Sequence, residues 1–227
     1  MNDPTHLAHG LAGDNTPPDW PPLTALEVDT LLRGYPALDP ATRIDWHSPR
    51  PLSAACLVET GHATVFIKRH HHSVRSAATL SEEHRLIAHL RGNGMPIPAV
   101  LSDARGQTAV ALGDWTYEVH ERAVGIDLYR EAISWSPLPN REHARSAGRM
   151  LAALHDAAEG YHAPQRDTHI LVARSELIRS PDPIAALQTQ LPTRPGLADY
   201  LQGRDWPTDL AELLAPWHAA LQPRLTQ

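Results

Sequence analysis

The chain has 227 residues of which 42% are hydrophobic, enough to bury a core in one large domain or in two lobes sharing a cleft. Its formal charge of −6 and the lack of any long basic block exclude the electrostatic footprint of a nucleic-acid binder. The apolar runs are short, the N-terminus MNDPTHLAHGLAGDN has no apolar h-region, and Cys56 has no second cysteine to pair with, so membrane insertion, export and an internal disulfide are not expected and the cytoplasm is the expected compartment.

Residues 1–22, ending in TPPDWPP, read as a flexible tail. Thr24 with Glu27 three positions on forms a capping box that opens a short helix, stopped by Gly34. The runs RIDWHS, AACLVET and HATVFIKRH predict a small antiparallel sheet, with Thr60-Gly61 connecting the last two. A second capping box, Thr79 with Glu82, predicts a helix whose apolar stripe holds Leu80, Leu86, Ile87 and Leu90 and which Gly92 and Gly94 end. TAVALGD and WTYEVHERAVG then predict two more strands, up to a break at Gly125. From there the pattern is helical: Arg141–Ala158 carries Ala144, Ala147, Leu151, Leu154 and Ala158 at helical spacing, and prolines divide the remainder. His155 on that stripe reads as a core histidine. The order predicts an α+β protein with segregated lobes.

Strand alternation in VFIK puts Phe66 and Lys68 on one face. Glu82 and Glu83 differ by roughly 100° around the helix axis, and position 83 falls on the stripe of Leu80, Ile87 and Leu90. A carboxylate on an apolar face needs a partner, and Lys68 is the nearest candidate in sequence.

HATVFIKRH, SEEHRLIAHLRGNGMPIPAVL, YEVHERAVGIDLY and AGRMLAALHDAA, in this order, resemble the aminoglycoside phosphotransferase and choline kinase superfamily over about residues 43–160. The resemblance implies a protein-kinase-like fold: a nucleotide-binding N-lobe over residues 23–124, a small antiparallel sheet with one helix, followed by a partial helical C-lobe over 125–227. It implies that Lys68 orients the phosphates of ATP, that Glu83 holds the lysine, and that His120, Glu121, Arg122 and Ala123 form the hinge against the adenine edge. Ser53 and Ala54 fall where the phosphate-covering loop belongs, and Phe66 where it would floor or crowd the adenine site. The implied reaction is phosphoryl transfer from ATP, with Mg²⁺ as co-ligand, to a hydroxyl of a small molecule that the sequence leaves open.

The family's His-Gly-Asp segment with its following Asn, and its metal-binding Asp-Phe motif, have no counterpart here; Phe66 is the sole phenylalanine. The expectation is a chain truncated before its catalytic loop and inactive alone, with no catalytic or metal-ligating residue assigned. Two other readings stand beside it, a nucleotide-binding module without chemistry and a His-rich metal-binding protein. The run His70-His71-His72 suggests the latter, but consecutive strand residues point to alternate faces and do not converge on one ion.

Overall fold

The computed structural model describes residues 7–9, 14–50, 53–130, 132, 133, 136–164 and 176–225. The chain divides into two compact units, residues 1–169 and 170–227.

In the first unit β1 (Ala8–His9) pairs antiparallel with β2 (Asn15–Thr16), followed by α1 (Ala25–Leu32). The Thr24–Glu27 capping box is present in both directions: Thr24 Oγ1 accepts from Glu27 N at 3.3 Å and Glu27 Oε2 accepts from Thr24 N at 2.9 Å. Replacing Thr24 by Ala is expected to cost about 1 kcal/mol in urea unfolding, the value of one N-cap. The packed fold begins before Leu23, inside the stretch expected to be a tail. Trp20 stacks on His71 at 5.2 Å and meets Trp115 edge-on, and the Pro21 carbonyl accepts from Arg69; residues 1–6 and 10–13 of that stretch lie outside the described residues.

A five-stranded antiparallel sheet follows, built from β3 (Ala41–His47), β4 (Ala54–Thr60), β5 (Thr64–His71), β6 (Val110–Leu112) and β7 (Trp115–Glu121) in the order β3-β4-β5-β7-β6. Alternation divides its central strands between two faces. Val65, Ile67, Tyr117 and Val119, with Ala54, Cys56 and Val58, form the core with Val28, Leu31 and Leu32 of α1. Burial pushes the Cys56 thiol up to about 12, so it is a packing residue. Phe66, Lys68 and His70 share the other face with His120, Glu118 and Thr116, their cross-strand partners.

The helix α2 (Ala77–Gly92) starts earlier than its predicted cap. Ser76 is the N-cap, accepting from Thr79 N at 3.2 Å, so Thr79 sits inside the first turn rather than opening it. Gly94 follows the helix at φ +85°, a conformation that favours glycine. The helix α3 spans Arg141–Ala158, as its periodicity predicts, with Asn140 as N-cap. Among the described residues its last turns are what packs: Leu154, Ala157 and Ala158 meet Leu86, Leu90, Met95 and Ile97, while Ala144, Ala147 and Leu151 are exposed. His155 is exposed too, against the expectation of a core position.

The second unit contains α4 (Glu176–Arg179), α5 (Pro183–Gln190), α6 (Pro195–Leu201) and α7 (Trp206–Leu225). Asp182 caps α5, with Pro183 at its first helical position, and α7 runs through Pro216. Among the described residues no helix is long and apolar enough to cross a membrane.

Candidate nucleotide site

A cavity of about 740 Å³ lies in the first unit, on the sheet face opposite α1. Trp46 of β3, Leu57 of β4 and Phe66 of β5 give it an apolar wall, and Lys68 and the segment from His120 to Asp127 also line it. The volume and the mixture of apolar wall with a few polar groups suit a drug-sized ligand. Phe66 therefore lines the cavity. Of the residues expected to form a hinge, Glu121 is fixed by two bonds to Ala99: its amide donates to the Ala99 carbonyl at 2.9 Å, and its carboxylate accepts from the Ala99 amide at 3.1 Å. Gly125 (φ +125°) turns the chain at the cavity edge in a conformation that an L side chain rarely adopts.

Lys68 is partnered differently from the sequence-based expectation. Its Nζ lies 2.8 Å from Oε1 of Glu118, the residue directly opposite it on β7. Glu83 is ion-paired to Arg75, which precedes α2 in sequence and reaches it from the β5–α2 turn. Both glutamates of the Glu82-Glu83 pair are half-buried, and the buried position, one turn after Leu80, is the next residue, His84.

Glu118 is only 3% exposed, and four side chains converge on it. Oε1 accepts from Lys68 and from His70 Nε2 at 2.9 Å; Oε2 accepts from His84 Nε2 at 2.8 Å and His120 Nε2 at 2.9 Å. Burial on its own would raise this carboxyl, but the bonds from His120, His70 and His84 and the charge of Lys68 outweigh it and hold Glu118 far below the usual carboxylate range. For His70 burial is the largest influence and lowers its pKa, so the ring is held neutral with its Nε2 proton on Glu118. On the far side, the Nδ1 of His84 bonds to Thr108 Oγ1 at 2.8 Å.

Ser53 and Ala54 are not in this cavity. Ala54 opposes Arg69 in the β4–β5 register and belongs to the core on the α1 face; with Ser53 it lines a separate small void beside Trp20 and Arg50. Pro51 and Leu52, in the same connection, lie outside the described residues. Arg50 in that β3–β4 connection donates to the carbonyls of Tyr129 and Ala132, both at 3.3 Å, and so ties it to the segment beyond Gly125.

Glu118 and His84 were not singled out in the sequence. The signal was present: in YEVHE, Glu118 stands between two core residues, Tyr117 and Val119, and alternation puts it with His120 on the Lys68 face.

No curated protein matches the chain. Among solved structures it is similar to a microcompartment-associated aminopropanol kinase, at 19% identity and a TM-score of 0.50 over 67% of this chain and 46% of the other. It is also similar to an amicoumacin kinase in complex with AMP-PNP and Ca²⁺, at 16% identity and a TM-score of 0.49, over 78% and 53%. The aminoglycoside phosphotransferase from Alicyclobacillus acidocaldarius matches at 16% identity and a TM-score of 0.48, over 92% and 55%. The chain thus spans about half the length of the kinases it resembles. The family model described as the phosphotransferase enzyme family matches residues 51–227, and the chain, with its kinase-like α+β fold, belongs to that family.

Proposed function

We propose that the chain binds ATP in the 740 Å³ cavity as the nucleotide-holding part of a phosphotransferase acting on a small-molecule hydroxyl. The observation that carries this is the cavity itself: its lining joins the cation of Lys68, the apolar wall of Trp46, Leu57 and Phe66, and the exposed residues Arg122 and Ala123. Lys68 is 29% exposed on the cavity while its ammonium is held by Glu118, so it can meet a phosphate without leaving its counter-ion. Glu118 in this reading is the residue that positions the lysine, the role the sequence assigns to Glu83. Because the Glu121 amide is engaged by Ala99, the hinge donor for an adenine edge falls to Ala123.

Mg²⁺, the family's co-ligand, fits this cavity poorly. The carboxylates among its described lining residues, Glu121 and Asp127, accept backbone amides of Ala99 and Tyr129 and belong to the hinge side, so no step is derived through the ion. What the chain's own residues do is bind and orient: positioning and charge stabilisation make up most of phosphoryl-transfer catalysis.

The test is thermal stability with ATP. At a ligand concentration of about 100 times Kd the native state gains about 2.7 kcal/mol, a readable rise in Tm. Lys68→Ala is expected to leave the fold intact and weaken ATP at least tenfold. An ATP-independent Tm in the unaltered chain, or an equal response in Lys68→Ala, would count against the reading.

A further inference from the structure

The cluster around Glu118 does more than hold Lys68, and its two carboxylate oxygens have different company. Oε1 has a cation, Lys68, and His70. Oε2 has two imidazoles from different elements, His84 from α2 and His120 from β7, whose Nε2 atoms approach the same oxygen. The donor atoms of His84, His120 and Glu118 all lie within 4.8 Å of one another, and the two rings meet edge to face at 6.0 Å with planes 87° apart, so neither blocks the other.

We propose that His84 Nε2, His120 Nε2 and Glu118 Oε2 form a binding site for a divalent cation of the zinc class. Two imidazoles and one carboxylate are a donor set such ions take, and metal–ligand bonds of about 2.0–2.2 Å place neighbouring donors about 3.3 Å apart. The present separations of 2.8 and 2.9 Å are hydrogen-bond lengths, so the rings need to draw back by only about half an ångström to admit an ion. Coordination requires each Nε2 to give up its proton, and a neutral imidazole does this by moving the proton to Nδ1. Thr108 Oγ1, 2.8 Å from Nδ1 of His84, can accept a hydrogen bond from that Nδ1–H, which is the outer hydrogen bond a metal-bound histidine normally makes. An ion can also reach the site: His120 lines the 740 Å³ cavity, and His84 lines a second cavity of about 720 Å³ between α2 and the segment around Thr108. The consecutive histidines of the sequence are not the donors. His71 stacks on Trp20 and His72 bonds to the Asp114 carbonyl; only His70 reaches the cluster, on the other oxygen.

The inference is independent of nucleotide binding and is tested without nucleotide. The tag-free full chain is titrated at neutral pH with Zn²⁺ by calorimetry and with Co²⁺ by visible absorption. The expected result is one equivalent bound, with the d–d bands of low-coordinate Co²⁺. His84→Gln and His120→Gln should each weaken binding at least tenfold, Thr108→Val about tenfold through the outer hydrogen bond, and the exposed His72→Gln not at all. Circular dichroism checks that each variant is folded. Lack of stoichiometric binding by the unaltered chain overturns the proposal whatever the variants do, and so does binding that survives in folded His84→Gln and His120→Gln or that is lost in His72→Gln.

Discussion

Glu118→Gln is expected to destabilise the first unit by about 3 kcal/mol, whereas Lys68→Met, which removes the other half of the same ion pair, should cost about 1 kcal/mol. The asymmetry follows from where the survivors sit. Without Lys68, Glu118 keeps three imidazole donors. Without the carboxylate, Lys68 can turn to water, being 29% exposed, but His70 and His84 are buried on different oxygens, and one of the two loses the acceptor its Nε2 proton needs. An amide offers one acceptor oxygen where the carboxylate offers two, and its own donors would face the N–H groups of the rings. Urea-unfolding midpoints measured with chelator present, to keep cations out of the comparison, check both values. Equal losses in the two variants would mean that the lysine, not the histidine cluster, is what Glu118 stabilises.

The same cluster gives stability a pH dependence of defined sign. His70 has a lowered pKa in the native state, so below the ordinary imidazole value of about 6.5 the unfolded chain takes up a proton that the folded chain refuses. Stability contributed by the neutral ring is thus complete above that value and is lost as pH falls through and below it. Glu118, also lowered, adds a second loss that begins only as pH falls below the ordinary carboxylate range near 4.3. A fall in metal-free stability from pH 7 to pH 5.5 is therefore expected, and His70→Gln, which keeps a donor in place of Nε2 without titrating, should flatten it.

Features written in adjacent residues were legible from sequence, and those set by register were not. Thr24 and Glu27 are three positions apart and need no other part of the chain to cap α1, and the periodicity of Arg141–Ala158 gave that helix its bounds. Lys68 was recognisable as a cation sharing a face with Phe66, because alternation is a local rule. Its partner was not, since Glu118, 50 positions further along the chain, reaches it only through the β5–β7 pairing. Glu83 was matched to Lys68 because its position falls on the apolar stripe of the next helix, but Arg75, eight positions before it, satisfies it locally. Register also separates Ala54 from the cavity: facing Arg69 rather than Lys68 commits it to the α1 side. At α2 two overlapping patterns competed, Ser76 with Thr79 and Thr79 with Glu82, and the earlier hydroxyl won the cap. Periodicity identified the apolar stripe of α3 correctly as a stripe, yet it could not say that only the turns near Ala157 would find partners.

Glu27→Gln is expected to cost about 3 kcal/mol, much more than a change at the start of a short helix would suggest. Glu27 serves two elements with its two oxygens. Oε2 closes the capping box on Thr24, and Oε1 accepts from Arg69 Nη1 at 2.6 Å and from the Tyr117 hydroxyl at 3.1 Å. Burial would raise its pKa, but the Thr24 amide and the Arg69 guanidinium overcome that and lower it, so the carboxylate is ionised at neutral pH. Arg69 is 2% exposed, lies 4.2 Å over the Trp115 ring and also donates to the Pro21 carbonyl. Gln is accepted in a capping box, so the substitution spares the cap and removes the charge. A guanidinium left in the core without its carboxylate cannot reach water. The converse change, Arg69→Met, leaves a carboxylate that is 27% exposed and can turn outward, and should cost about 2 kcal/mol. Because each single change removes the same contact, the double variant should cost less than the sum of the two by about 2 kcal/mol. Strict additivity in the urea-unfolding cycle would mean that apolar packing of Val28, Leu31 and Leu32 alone docks α1 on the sheet. The expected coupling makes the Glu27–Arg69 pair the pin that fixes α1 behind the strand carrying Lys68, and with it the back of the cavity.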